Sequence, residues 1–117
     1  MNVEEFREYC LSKKGATEGF PFDDKVLVFK VMNKMFALTN IEDFVSVNLK
    51  CDPERAVLLR DQHPEIQPGY HMSKVHWNTV SIHGRLAPKF ILELIDDSYL
   101  LVVKSLTKKD QALLNSM

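Results

Sequence analysis

Three β-rich runs between residues 25 and 50 are joined by connections too short to cross a sheet. No other feature of the chain constrains its fold as much. KVLVFKVM (25 to 32) is rich in β-branched residues and apolar on both faces until Lys30. Asn33-Lys34 supplies a tight turn, without the glycine that would secure a two-residue hairpin loop. MFALTN returns as a second strand, NIED turns again, and FVSVNLK (44 to 50) forms a third. Parallel neighbours need a crossover of about a dozen residues or more, so these three runs must form an antiparallel meander.

Helices flank the meander. Residues 2 to 14 carry an apolar stripe of Val3, Phe6 and Cys10, with Tyr9 alongside, and this stripe packs on a sheet. Asn2 and Glu5 have capping-box spacing, and Gly15 is a stop signal. Asp52-Pro53-Glu54 starts a second helix: aspartate caps, proline needs no N–H at the first position, and glutamate suits the positive end of the dipole. That helix runs through Leu58, Leu59 and Arg60 and ends by His63, because Pro64 follows. IQPGYHM and HWNTVSI then read as two strands joined at Ser73-Lys74-Val75, with Trp77, Thr79 and Ser81 on one face and His76, Asn78, Val80 and Ile82 on the other.

From Pro88 onward, PKFILELIDDSYLLVVKSL is helical, either as one helix or as two separated by a fresh cap at Asp96-Asp97-Ser98. GATEGFPFDD reads as a loop, and the polar tail LTKKDQALLNSM is expected to fray. The expected architecture is a single compact α+β domain over residues 1–117. It has an antiparallel sheet of about five strands, helices on one face, and the order α-β-β-β-α-β-β-α.

Composition narrows the function. At 117 residues, 45% apolar and 26% charged, the chain is ordinary for a globular domain with its own core. A net charge of −1 gives no global field towards nucleic acid or membrane, so any such partner depends on local patches. No apolar run approaches the roughly 20 residues that span a bilayer. The acidic N-terminus MNVEEFREYC lacks the pattern of a signal peptide, so a cytoplasmic protein with no membrane partner is expected. Cys10 and Cys51 belong to no C-x-x-C and read as buried free thiols.

The run GYHMSKVHWNTVSIHG, followed by LAPKFILELIDDSYLLVVKSLTKK, resembles the MmcQ/YjbR family of small bacterial proteins. The most specific elements are M-x-K-x-H-W at Met72, Lys74, His76 and Trp77, and S-Y-x-L-V from Ser98 to Val102. The resemblance covers nearly the whole chain. It implies an α+β fold with an antiparallel sheet, similar in outline to frataxin-like proteins and secretion chaperones. It also implies double-stranded DNA as a partner, gripped by two β-hairpin wings, and it brings no catalytic motif. Fold analogy alone does not establish function.

On this strand pattern the two hairpin turns present Lys34 and Lys74, each suited to reaching a phosphate. His76 flanks the second turn. Arg85 and Lys89 open the last helical region, where main-chain N–H groups add an anion contact. Lys104, Lys108 and Lys109 make a second basic cluster, while Glu42-Asp43 and Asp96-Asp97 oppose it. His71, His76 and His83 lack a cysteine or paired carboxylate at ligand spacing, so no metal is expected. No phosphate loop, G-x-S-x-G or H-E-x-x-H occurs, so neither catalysis nor a cofactor is expected. The alternative to DNA is an interaction module that dimerises or receives a protein segment on a sheet face lined by Tyr70, Trp77 and Thr79. Trp77 itself is expected to pack against a helix.

Overall fold

The computed structural model describes all residues from Met1 to Met117. Four helices and six strands run in the order α1 (Val3–Leu11), β1 (Ala16–Gly19), β2 (Val26–Val31), β3 (Lys34–Asn40), β4 (Ser46–Lys50), α2 (Pro53–Gln62), β5 (Ile66–Pro68), β6 (Trp77–Ser81), α3 (Pro88–Ser105) and α4 (Lys108–Asn115). The strands form one antiparallel sheet ordered β1-β2-β3-β4-β6-β5. No helix is long and apolar enough to cross a membrane.

The α+β architecture stands, with the expected meander as β2, β3 and β4. Its first turn lies one residue earlier than expected. Val31 pairs with Lys34, so Met32 and Asn33 are the two loop residues, at φ 48° and 66°. Positive φ at both central positions is what a type I′ turn demands, and it does so here without glycine.

A sixth strand and a fourth helix correct the sequence reading. Ala16–Gly19, within the segment read as a loop, pairs with the free edge of β2, and the Arg7 guanidinium grips Glu18 from α1. Of its four residues only Thr17 favours a strand, so pairing decides here over propensity. The tail does not fray. Thr107 Oγ1 accepts the Asp110 N–H at 3.1 Å, Gln111 Nε2 donates to the carbonyls of Val103 and Leu106, and Leu114 is buried. The T-x-x-D cap was the overlooked signal.

The helices lie on one face. Phe6 and Cys10 of α1, Ala56 and Leu59 of α2, and Ile91, Leu94, Ile95 and Val102 of α3 share one core with Leu27, Phe29, Val31 and Phe36 of the sheet. Phe6 meets Phe29 edge-on at 5.6 Å, and Phe36 meets Tyr99 edge-on at 5.4 Å, geometries that ring quadrupoles favour. At α1 the capping box forms as expected: Asn2 Oδ1 accepts the Glu5 N–H and Glu5 Oε1 accepts the Asn2 N–H.

Helix α3 is continuous through Asp96-Asp97-Ser98. Both carboxylates are drawn to other helices and their flanks instead of capping: Asp96 binds Lys13 and the Tyr9 hydroxyl, and Asp97 binds Arg55. The fully buried Ser98 hydroxyl donates to the Phe36 carbonyl and accepts the Lys50 N–H at 2.9 Å. One side chain of α3 thus satisfies main-chain groups of β3 and β4. Ser98→Ala leaves both without their partner, at a cost of roughly 1–3 kcal/mol. A melting temperature lowered by on the order of 4 °C per kcal/mol is the expected reading in thermal unfolding.

Burial pushes the Cys10 thiol up to about 12. An unfolded thiol titrates near 8.5, so the unfolded chain releases this proton first as pH rises. Cys10 burial therefore contributes its full stability below about pH 8.5 and loses it progressively towards pH 12. Denaturant melts should show Cys10→Ala losing less stability than the parent between about pH 8 and pH 10.

Candidate functional site

Two features have the makings of a site: a basic end of the sheet and a cleft on its helix-free side. The strand register determines where both lie. β3 begins, β4 ends and β6 begins at the same end of the sheet, opposite each other through Ala37–Leu49 and Lys50–Trp77. The Met32-Asn33 turn and the loop 69–76 therefore project from one end, and they bring Lys34, Lys50 and Lys74 to it. The α3 C-terminus lies there too, because Lys34 Nζ donates to the Ser105 carbonyl at 3.4 Å. Lys104 in the last turn of α3, and Lys108 and Lys109 at the start of α4, extend the cluster.

None of these lysines is in an ion pair. The ion pairs are Arg7–Glu18, Lys13–Asp96, Lys25–Glu42 and Arg55–Asp97. Where the basic-end ammonium groups are bound, neutral carbonyls bind them, so their charge is not cancelled. Asp52 at this end is engaged as the α2 N-cap, accepting the Arg55 N–H.

The opposite end is acidic. The segments entering β2, leaving β3 and entering β5 carry Asp23, Asp24, Glu42, Asp43 and Glu65. The main-chain N–H groups of Val26 and Lys25 hold the Asp23 carboxyl below its ordinary value, and the Arg85 N–H does the same for Glu65. Arg85 and Lys89 lie at this acidic end, which separates them from Lys34 and Lys74 by the length of the sheet. The structure thus divides the five residues singled out in the sequence between two ends of the molecule. His76 is exposed beside β6, and its carbonyl accepts the Cys51 N–H.

The last hairpin differs from its expected form. β5 stops at Pro68, and residues 69–76 make a long loop where a three-residue turn at Ser73-Lys74-Val75 was expected. Proline at the end of a three-residue edge strand ends pairing there. The loop folds over the sheet and is tied down at several points. Thr79 Oγ1 accepts the Tyr70 N–H at 2.8 Å and donates to Asn48 Oδ1, while Lys74 Nζ donates to the Gly69 carbonyl. Arg60, reaching from α2, donates to Asn78 Oδ1 at 2.7 Å and to the carbonyls of Lys74 and Trp77. Trp77 is buried, yet it packs away from the helices, with Val28 and Leu38 on the uncovered face. The expectation of a helix contact fails because odd-numbered positions of β6 face outward.

Between this loop and the segment 43–46 lies a cleft of about 690 Å³. Val26 and Leu38 line it from the sheet, Phe22 and Val45 from one side, and Tyr70 and Met72 from the other. Phe22 and Tyr70 are 65% and 67% exposed, unusual for large rings. Tyr70 is backed by the His71 ring at 4.0 Å between centroids. His71 and Phe44, at φ 58° and 43°, place a left-handed residue in or beside each wall. For a buried phenylalanine this backbone is costly, and such outliers concentrate at functional segments. His71 and His76 bind no common partner, and no group of three or more His, Cys, Asp or Glu side chains converges anywhere. The cleft escaped the sequence reading because its walls come from segments far apart in the chain; only the unusual FPFDD run hinted at exposed rings.

If the Thr79 hydroxyl fastens the loop, Thr79→Val should free it locally. Hydrogen exchange at the Tyr70 amide is expected to quicken by on the order of tenfold, with the core amides unaffected. Unchanged Tyr70 exchange would mean that Arg60, Lys74 and Asn48 hold the loop without it.

A family model described as YjbR matches residues 11–101. The Escherichia coli (strain K12) protein YjbR is 37% identical over 97% of this chain and 98% of its own length. YbdF of Escherichia coli O157:H7 is 39% identical over 79% of this chain and 76% of its own. Among solved structures, a Deinococcus radiodurans protein of the DUF419 domain family superposes with a TM-score of 0.90 at 44% identity, over 97% of this chain and 88% of that one. A Pseudomonas syringae protein superposes at 0.73 with 32% identity, over 86% of this chain and 98% of that one.

Proposed function

The chain belongs to the YjbR family, and on that premise we propose that it is a non-catalytic module that grips the phosphate backbone of double-stranded DNA with its lysine-rich end. The observation that carries this reading is the segregation of charge. A net charge of −1 conceals a cluster of Lys34, Lys50, Lys74, Lys104, Lys108 and Lys109, free of ion pairs and outnumbering Asp52, Glu54 and Asp110 at that end, with the carboxylates of Asp23, Asp24, Glu42, Asp43 and Glu65 at the far end. Affinity for nucleic acid comes chiefly from such local cations, which displace condensed counterions. The two loops carrying Lys34 and Lys74 flank the end of β4, so a duplex laid across that end meets both.

The footprint is narrower than the sequence suggests. Arg85, bonded to Glu65, and Lys89 at the start of α3 lie towards the other end and are left out of it. Two observations support the absence of catalysis. Burial raises the thiol pKa of both Cys10 and Cys51, and the Ser98 hydroxyl is consumed by two main-chain groups. Nothing in the footprint distinguishes one base from another, so binding is expected to be independent of sequence.

Fluorescence anisotropy with a labelled duplex, from low to physiological salt, tests the proposal. Log affinity should fall with log salt at a slope of about −0.9 per phosphate neutralised. Lys34→Ala and Lys74→Ala should each shrink the slope by about one, and Arg85→Ala and Lys89→Ala should leave it as it is. No binding at micromolar protein and low salt would end the DNA reading. Sedimentation would then test the alternative, self-association or a protein partner on the uncovered sheet face, for which the exposed Phe22, Val45 and Tyr70 speak.

A further inference from the structure

The cleft lies apart from the lysine-rich end and differs from it in chemistry. We propose that it is a binding site for a small organic cation: an ammonium group carried on a flat or compact apolar body. The site stands independently of the DNA reading and uses none of its lysines.

Several observations converge on that class of ligand. At about 690 Å³ the cleft falls within the roughly 300–1,000 Å³ of small-molecule sites, and its apolar floor would bury the body of such a molecule. Neither lysine nor arginine lines it, and its one carboxylate is Asp43. Lys25, the cation closest in sequence to that wall, is drawn to Glu42 at 3.8 Å. Three other polar side chains of the cleft are engaged: Thr39 donates to the Ser46 carbonyl, Asn40 accepts the Glu42 N–H, and Asn48 is bound by Thr79 and the Tyr70 carbonyl. The Asp43 carboxylate has no partner of its own and stands free for a ligand's charge. The nearby Asp23 and Asp24 add a field of the same sign, which draws cations and turns anions away.

The aromatic rim fits the same chemistry. Phe22 and Tyr70 expose their rings across the mouth, and rings attract ammonium groups through their negative faces, most strongly when the cation sheds water. The His71 ring meets the Tyr70 ring at 4.0 Å between centroids, and Thr79 fixes the Tyr70 main chain. An ammonium between these rings and Asp43 would place its apolar substituent on Leu38, Val45 and Met72.

The experiment is an amide NMR titration of the full chain with benzyltrimethylammonium, run in parallel with benzenesulfonate, which has similar shape and opposite charge. Saturable shifts are expected at Asp43, Val45, Tyr70 and His71 with the cation alone. Asp43→Asn and Tyr70→Ala both alter exposed side chains and should leave the remaining spectrum intact. Each is expected to weaken the cation by on the order of tenfold. Equal binding of the two probes, shifts confined to the lysine-rich end, or full affinity in both folded variants would overturn the proposal. Shifts of the cleft amides with protein concentration, and none with the probe, would overturn it in favour of a second copy on this face.

Discussion

The hydroxyl of Ser98 is where the helical layer and the sheet are locked in register. It is fully buried and bonded to one carbonyl of β3 and one N–H of β4, at the point where β4 leaves the sheet for α2. A buried main-chain group without a partner costs as much as several methylene contacts gain, so α3 has little freedom to slide along the sheet. The next residue, Tyr99, donates its hydroxyl to the Lys14 carbonyl, and the preceding Asp96 and Asp97 bind Lys13 and Arg55. Four consecutive residues of one helix thereby fasten α1, α2 and two strands. Ser98 and Tyr99 of the S-Y-x-L-V element thus hold the layers of this molecule together.

With α3 fixed to one face, the other face is left to the loop 69–76. Its anchors, Arg60, Thr79 and Lys74, all contact main-chain atoms of the loop or its flanks. The second family element, M-x-K-x-H-W, therefore has its Lys74 and Trp77 engaged in holding a loop against a sheet. This does not remove the charge of Lys74, because a carbonyl partner leaves the ammonium positive. It does make the loop a shared element: Tyr70, His71 and Met72 wall the cleft, and Lys74 joins the basic end. The backbone strain at His71 is offset by these anchors.

Much of the architecture was readable in local signals. Short connections demanded antiparallel strands, Asn2/Glu5 and Asp52-Pro53 announced helix starts, and alternation along β6 correctly separated Trp77 and Thr79 from Val80 and Ile82. Failures occurred where a distant partner outweighed local preference. Ala16–Gly19 became a strand because β2 offered a free edge, and α4 persists because Gln111 and Leu114 find partners on α3 and near Gly15. The expected turn at Ser73-Lys74-Val75 gave way to a folded loop because Thr79 and Arg60 hold its main chain.

By itself the sequence determined the α+β class, the meander and the two resemblance motifs, since each rests on residues a few positions apart. Period, capping and turn geometry act over that range, so a linear reading suffices. The lysine-rich end, the acidic end and the cleft depend on which strand ends share an edge of the sheet, and on a loop folding back over it. Lys34 and Lys74 stand forty residues apart in the chain, and Asp43 and Tyr70 twenty-seven. Only strand pairing and side-chain packing, which join residues regardless of their separation, could bring Lys34 and Lys74 to one end of the sheet while sending Arg85 and Lys89 to the other.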